Sequence, residues 1–263
     1  MALEKFENKK TPPRLSVVSI VRNDQTGIRK TCTSLLNQTF KNWEMIIVDG
    51  NSEDGSRESA MEFANYDKRV VLRNQASRGI YLAMNEGLEL ARGEFIWFMN
   101  AGDVFYDERS ISESLEILEK SEADILVGGY GYYHKGDLRV FQKNPKVLRI
   151  WEISLNRRGL CHQSMIYKTN KLKEIGGYEA TFSLVADFYS ALRIATEGKI
   201  QRTRRILSII EPGGISQSLI HQVLSEKQRV RESIFSREKS QIILGQIWTF
   251  ALIIKLKLAK VKK

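Results

Sequence analysis

A chain of 263 residues, 42% hydrophobic and 27% charged, can bury a substantial core in one large or two small domains, and its ordinary composition excludes wholesale disorder. The net charge of +10 sits in residues 199–263, where 14 Lys/Arg face 4 Asp/Glu, while residues 1–198 hold 27 of each. That neutral body, without a recognition motif, argues against nucleic acid as a partner; Cys32 and Cys161 lack metal-ligand or disulfide-scaffold spacing and read as packing residues in a reducing compartment.

Residues 1–13 mix charge with proline and lack the apolar core of a signal peptide, so a disordered leader and no export are expected. Leu15 to Val21 is a β-branched run closed by Arg22-Asn23-Asp24, a first strand with a turn at its carboxyl end. Ile28, Cys32, Leu35 and Leu36 recur at helical spacing between Thr26 and Asn37, which predicts a crossover helix. Trp43 to Asp49 predicts a second strand ending in an acid, and the polar loop Gly50 to Ser56 then feeds a helix capped by Ser56. A short strand at Val70 to Leu72 leads through Asn74 to Gly79 into a helix over Ile80 to Leu90.

Phe95 to Met99 is uninterrupted apolar sequence, the pattern of a strand covered on both faces. It breaks at Asn100-Ala101-Gly102-Asp103, which leaves a carboxylate at the strand's carboxyl end, where open α/β sheets bind ligands. Mg²⁺ or Mn²⁺ bound through one or two carboxylates and substrate phosphates suits that position, as does a solvated turn. Repeated strand and helix alternation before residue 100 predicts an α/β fold with a doubly wound parallel sheet.

The second half is less regular. A helix is expected over Ser110 to Lys120, strands over Ile125 to Gly129 and Gln163 to Tyr167, and a helix over Ala186 to Ala195 with Asp187 near its start. Gly128 to Tyr133 is rich in glycine and aromatics and suits a surface for a flat ligand. Glu211 to Ser216 is a loop, and Gln222 to Lys239, with apolar Val223, Val230 and Ile234, reads as a solvated helix. Ser240 to Ile254 is uncharged for 15 residues and is followed by five lysines. That is short of the roughly 20 residues a bilayer span needs. It predicts a helix lying in a membrane interface, with packing on the protein itself or on a partner as the other reading.

In this order the motifs Val18-Ser19-Ile20-Val21, Ile47 to Ser56, Ser77 to Tyr81, Ala83 to Gly87, Asn100 to Asp103, Cys161-His162-Gln163 and Gly213 to Ser216 resemble family-two glycosyltransferases of the GT-A fold, closest to bacterial enzymes that build capsular or colanic-type surface polysaccharides. The resemblance covers about residues 14–216 and implies a mostly parallel Rossmann-like sheet with helices on both faces, in a domain over 14–218. A basic helical extension over 219–263 would follow, placing the protein on the cytoplasmic face of the inner membrane.

The activity implied is inverting transfer of a sugar from a nucleotide diphosphate donor, UDP by default, to a hydroxyl of a glycan or polyprenyl-diphosphate-linked acceptor. Asp49 would accept from the imide N–H of uracil, with Val21, Asn23 and Asn51 beside it. Arg78 would bring positive charge to the nucleotide and Gly79 a close backbone. Asp103 would hold Mg²⁺ or Mn²⁺ across the phosphates, with Asn100, Ala101 and Gly102 lining the donor. Asp187 would be the base that takes the acceptor's proton, with Glu179 the nearest rival and helix capping the competing role. His162 and Gln163 would touch acceptor or diphosphate, and Ser216 would sit on a loop closing over the donor. The chain departs from the common Asp-x-Asp pattern at Asn100 and Gly102, and carries Leu82 where relatives often have Asp. That thinned motif motivates another class, a catalytically silent sugar-nucleotide-binding or scaffolding subunit. A nucleotidyltransferase lacks its usual Gly-rich triphosphate loop here.

Overall fold

The computed structural model describes residues 12–141, 153–154, 160–212 and 218–236, together with Ile243 and Ile247. The leader up to residue 11, Ser216 with its glycines and nearly all of the lysine-rich tail lie outside the described residues.

Strands β1 (Leu15–Val21), β2 (Trp43–Asp49), β3 (Val70–Asn74) and β4 (Phe95–Phe98) pair in parallel in the order β3-β2-β1-β4. Helices α1 (Gln25–Leu36), α2 (Ser56–Tyr66) and α3 (Ile80–Leu90) connect them. The side chains follow the two-residue period of a strand. Val18, Ile46, Val48, Ile96 and Phe98 join one core with Ala83, Met84 and Leu88 of α3. Val17, Val21, Met45, Ile47, Phe95 and Trp97 join the other with Ile28, Cys32 and Leu35 of α1. The sheet is therefore buried on both faces, as its continuous apolar runs require.

Past β4 come β5 (Val104–Phe105), α4 (Ser110–Ser121), β6 (Ile125–His134), β7 (Asp137–Phe141) and β8 (Met165–Lys168). They are followed by α5 (Thr169–Glu174), α6 (Ala186–Glu197), β9 (Ile200–Ile209) and α7 (Ile220–Ile234). The sheet continues β4-β8-β6-β9-β5, with β8 antiparallel to both β4 and β6 and β9 parallel to β6. Both cysteines are free and buried.

Several expectations change. Gly55, in the left-handed region at φ 90°, precedes α2, and Ser56 is its first residue. Asp54 satisfies the helix end by accepting from Ser56 N at 3.0 Å. The glycine and aromatic stretch continues as strand β6 and returns as β7 through Lys135 and Gly136, both at positive φ, the geometry of a two-residue hairpin turn. Two of its aromatics, Tyr130 and Tyr132, stack on Phe141 of β7 at 5.1 and 5.8 Å. Helix α7 is not solvated all round: Val223, Leu224, Val230 and Arg231 are buried. Its basic head groups sit over aromatic rings from α6 and the loop before it, Arg229 over Phe182 at 5.5 Å and Lys227 over Phe188 at 5.3 Å, cation–π contacts in a segment whose composition looks solvated.

Gly93, just before β4, lets that strand approach β1. A Cβ there would stand 2.5 Å from Ser16 N and 2.7 Å from the Leu15 carbonyl carbon, both backbone atoms that cannot move aside. Gly93→Ala is expected to lower stability by about 1–3 kcal/mol, read as a lower urea midpoint at unchanged slope.

Candidate functional site

The carboxyl ends of β2, β1 and β4 share one edge. Val21 pairs with Asp49, and the chain beyond β4 keeps that alignment, with Met99 N donating to Val18 O at 2.9 Å and Ala101 N to Ile20 O at 3.1 Å. With β1 between them, the ends of β2 and β4 lie about 10 Å apart.

The period-two alternation decides which face each acid takes. Asp49 follows Met45 and Ile47 toward the α1 and α2 side and is fully buried. Its oxygens accept from Ser52 N at 3.2 and 3.3 Å, and Arg57 Nη1 of α2 stands 3.8 Å away. Arg57 also bonds to Asn74 at the end of β3. Asn23 and Asn51 both adopt positive φ, at 53° and 59°. Asn23 knits the two turns together, its N–H donating to Ser52 Oγ and its Oδ1 accepting from Glu53 N, each at 2.9 Å.

Asn100 follows Phe98 toward the opposite face, where a cavity of about 570 Å³ opens. Tyr81, Asn100, His162, Gln163, Asp187 and Glu211 line it. Asn100 Oδ1 is buried without a hydrogen-bond partner, and so are both ring nitrogens of His162. The imidazole is packed between Phe98 and Tyr178 at 5.3 and 5.5 Å. Burial pushes it below its usual range, with Asp187 opposing, so it is neutral at neutral pH.

Asp103 is 4% exposed. Gln163 Nε2 donates to its Oδ2 and Glu211 N to its Oδ1, each at 2.9 Å. Burial lifts its carboxyl from 3.8 to about 7; those two donors pull it down, and the charges of Glu211 and Asp24 push it up. Thr31 of α1 holds the turn from behind, its hydroxyl 2.8 Å from Asp103 O and 3.1 Å from Asn100 O. Gly102 is at φ 92°, where a Cβ would stand 3.3 Å from Glu211 Cβ, so the residue after Ala101 is glycine for both conformation and space.

Asp187 lies in the first turn of α6, whose preceding residue Val185 provides no side-chain cap. Its Oδ1 accepts instead from the Tyr81 hydroxyl of α3 at 2.9 Å. Burial, and then Asp187 itself, keep that phenol well above its usual range, so it remains a donor. Glu179 is exposed and accepts from Thr181 N in its own loop, away from the cavity lining.

The structure thus brings Asn100, His162, Gln163 and Asp187 into one cavity and joins Asp103 to it through Gln163 and Glu211. Asp49, Val21, Asn23 and Asn51 gather on the neighbouring stretch of the same edge. Arg78 is exposed in the turn before α3, and Gly79, at φ 143°, begins that helix. Gln75 steadies the turn by donating to Gly79 O at 2.7 Å. Sequence reasoning assigned no role to Tyr81, Glu211 or Lys227. Tyr81 stood within a quoted motif; the other two carry no local signal.

Among the described residues no group of three or more His, Cys, Asp or Glu could hold a metal alone. The orphaned Asn100 Oδ1 and the Asp103 carboxylate, disfavoured as a free anion by burial, are hard oxygen donors that fit Mg²⁺ or Mn²⁺ with other ligands drawn from substrate phosphates.

A family model described as "Glycosyl transferase family 2" matches residues 16–176. A "PGL/p-HBAD biosynthesis glycosyltransferase" of Mycobacterium bovis is 25% identical over 214 residues, 79% of this chain and 81% of that protein. Among solved structures, S. aureus TarS 1–349 in complex with UDP-GlcNAc superposes with a TM-score of 0.71 at 15% identity, covering 90% of this chain and 73% of that one. The mannosyltransferase PcManGT from Pyrobaculum calidifontis, in complex with GDP-Man and Mn²⁺, gives 0.63 at 13% identity, covering 91% and 70%. The β3-β2-β1-β4 sheet and its mixed continuation are those of the GT-A fold.

Proposed function

The chain belongs to glycosyl transferase family 2, and from that premise we propose that it transfers a sugar, with inversion, from a UDP-sugar to a hydroxyl of a glycan or polyprenyl-diphosphate-linked acceptor in building a bacterial surface polysaccharide. The observation that carries this reading is the single cavity that sets the Asp187 carboxylate, held by Tyr81, across from Asn100 and the Asp103 turn.

Asp49 accepts from the imide N–H of the base, and Arg57, 3.8 Å behind it, helps to aim the carboxylate. Asn100 and Asp103 would hold Mg²⁺ or Mn²⁺, which when bound offsets the charge of the departing diphosphate. Gln163 and the Glu211 N–H fix the orientation of the Asp103 carboxylate. Asp187 removes the acceptor proton: the Tyr81 hydroxyl occupies Oδ1 and leaves Oδ2 for that proton. His162, neutral and with both nitrogens uncommitted, can accept from one sugar hydroxyl and donate to another. The basic tail would keep the enzyme on the cytoplasmic face of the inner membrane; among the described residues no helix is long and apolar enough to cross a membrane.

The test is thermal stabilisation by a panel of nucleotide sugars with Mn²⁺, followed by transfer assays. UDP-sugars are expected to raise the melting temperature, and Asp49→Ala to weaken UDP binding about 10- to 100-fold, as loss of a charge-assisted hydrogen bond implies. Binding of UDP-sugars with neither transfer nor donor hydrolysis would instead identify a silent binding subunit.

A further inference from the structure

Helix α7 lies beyond residues 16–176 that the family model matches, yet it closes one side of the cavity through Ile220, Val223 and Lys227. Lys227 is half-buried, its ammonium 5.3 Å from the centre of the Phe188 ring. Among the described residues no carboxylate stands within ion-pairing distance of it. One turn on, Arg231 places a second cation 5.9 Å from the same ring and spends its guanidinium on Ser154 O and Gln228 Oε1.

Two like charges four residues apart on one helix oppose each other, and partial burial removes the water that would screen them. The Lys227 ammonium is held below its usual range by that burial; Asp187 opposes the shift and Arg231 adds to it. A cation so placed, with no carboxylate in direct ion-pairing contact among the described residues, is offset by an anion that enters. The end of the cavity at which Lys227 stands is fixed by its contact with α6. Lys227 lies over Phe188, the residue next to Asp187 on α6, whereas Asp103 is bonded to Gln163 Nε2 and Glu211 N. Leu184, Phe188 and Val223 give the same cavity an apolar lining, and Phe188 lies directly against Lys227.

We propose that Lys227 determines acceptor specificity: it binds a phosphate group of the acceptor at the Asp187 end of the cavity, with the adjoining apolar chain of that acceptor lying against α7. The proposal rests on the transferase reading above. A lysine suits this role because it meets phosphate as a point charge and needs no fixed bidentate geometry.

The experiment uses the full chain saturated with UDP and Mg²⁺, so that the donor site is filled, and titrates geranyl diphosphate by calorimetry, with geraniol as the uncharged control. Wild type and Lys227→Arg are expected to bind geranyl diphosphate. Lys227→Met is expected to bind it at least about 10-fold more weakly, with UDP affinity as in wild type and a melting temperature no lower. Equal binding by Lys227→Met, or no binding of geranyl diphosphate by UDP-loaded wild type, overturns the proposal and leaves the transferase reading standing. Weakened UDP binding in Lys227→Met also overturns it, because the cation would then serve the donor diphosphate. Failure of wild type to bind UDP at all removes both readings.

Discussion

Asp187→Asn is expected to lower kcat for sugar transfer by about 10²–10⁴-fold, the usual contribution of a positioned general base, while UDP binding and the donor KM stay as in wild type. The asparagine oxygen can still accept from the Tyr81 hydroxyl, so the contact between α3 and α6 at 2.9 Å survives and the protein keeps its fold. What disappears is the capacity to take a proton. Tyr81→Phe gives the intermediate case. It removes the donor to Oδ1 but leaves the carboxylate, and its effect on kcat is expected to be smaller, because the base is still present and has lost only the bond that orients it. An Asp187→Asn enzyme that transfers sugar at the wild-type rate would move the base elsewhere. Glu179 would be a poor refuge, since it is exposed and turned into its own loop.

The parallel half of the sheet was legible because its strands are buried on both faces and write themselves as apolar runs ending in polar turns. Trp43–Asp49 was read to the residue and Leu15–Val21 with its turn. The acids at those strand ends were legible for the same reason: a sheet edge is where the apolar run must stop. Strand β9 was not anticipated, because Arg202, Arg204 and Arg205 interrupt it and its register against β6 is broken by irregularities. The inward side of α7 was hidden by its charge. Lys227, Arg229 and Arg231 count as solvent-seeking in any pattern, and only the rings of Phe182 and Phe188, distant in sequence, reveal that their cationic heads have partners within the fold. The faces that Asp49 and Asn100 take agree with strand parity: Asp49 shares the face of Ile47, and Asn100 that of Phe98. The bond from Tyr81 to Asp187 joins residues 106 apart, a pairing that no local spacing encodes.

Asp103→Asn is expected to separate stability from activity. In the folded protein the Asp103 carboxyl titrates near 7 against 3.8 for the ordinary group, with burial the main cause. The raised value sets the sign. Below about pH 4 both folded and unfolded chains hold the proton and there is no penalty. As pH rises toward 7 the unfolded chain ionises first, so stability falls until the folded-state value is passed. The full loss is about 4 kcal/mol, at 1.36 kcal/mol per pH unit of displacement. In EDTA, Asp103→Asn should therefore melt above wild type at pH 8 and with it at pH 4, since an amide has no charge to bury. A divalent cation with UDP removes the penalty by supplying the missing positive charge, and should raise the melting temperature of wild type at pH 8 more than that of the variant, which keeps only the contacts to the base. Transfer by the variant should fall at least about 10²-fold, the scale on which loss of preorganised charge stabilisation is felt. That pairing of greater stability with lost activity is what a site that stores strain for a ligand requires. Identical melting curves for the two proteins from pH 4 to 8, or unimpaired transfer by Asp103→Asn, would detach this carboxylate from the donor end of the cavity.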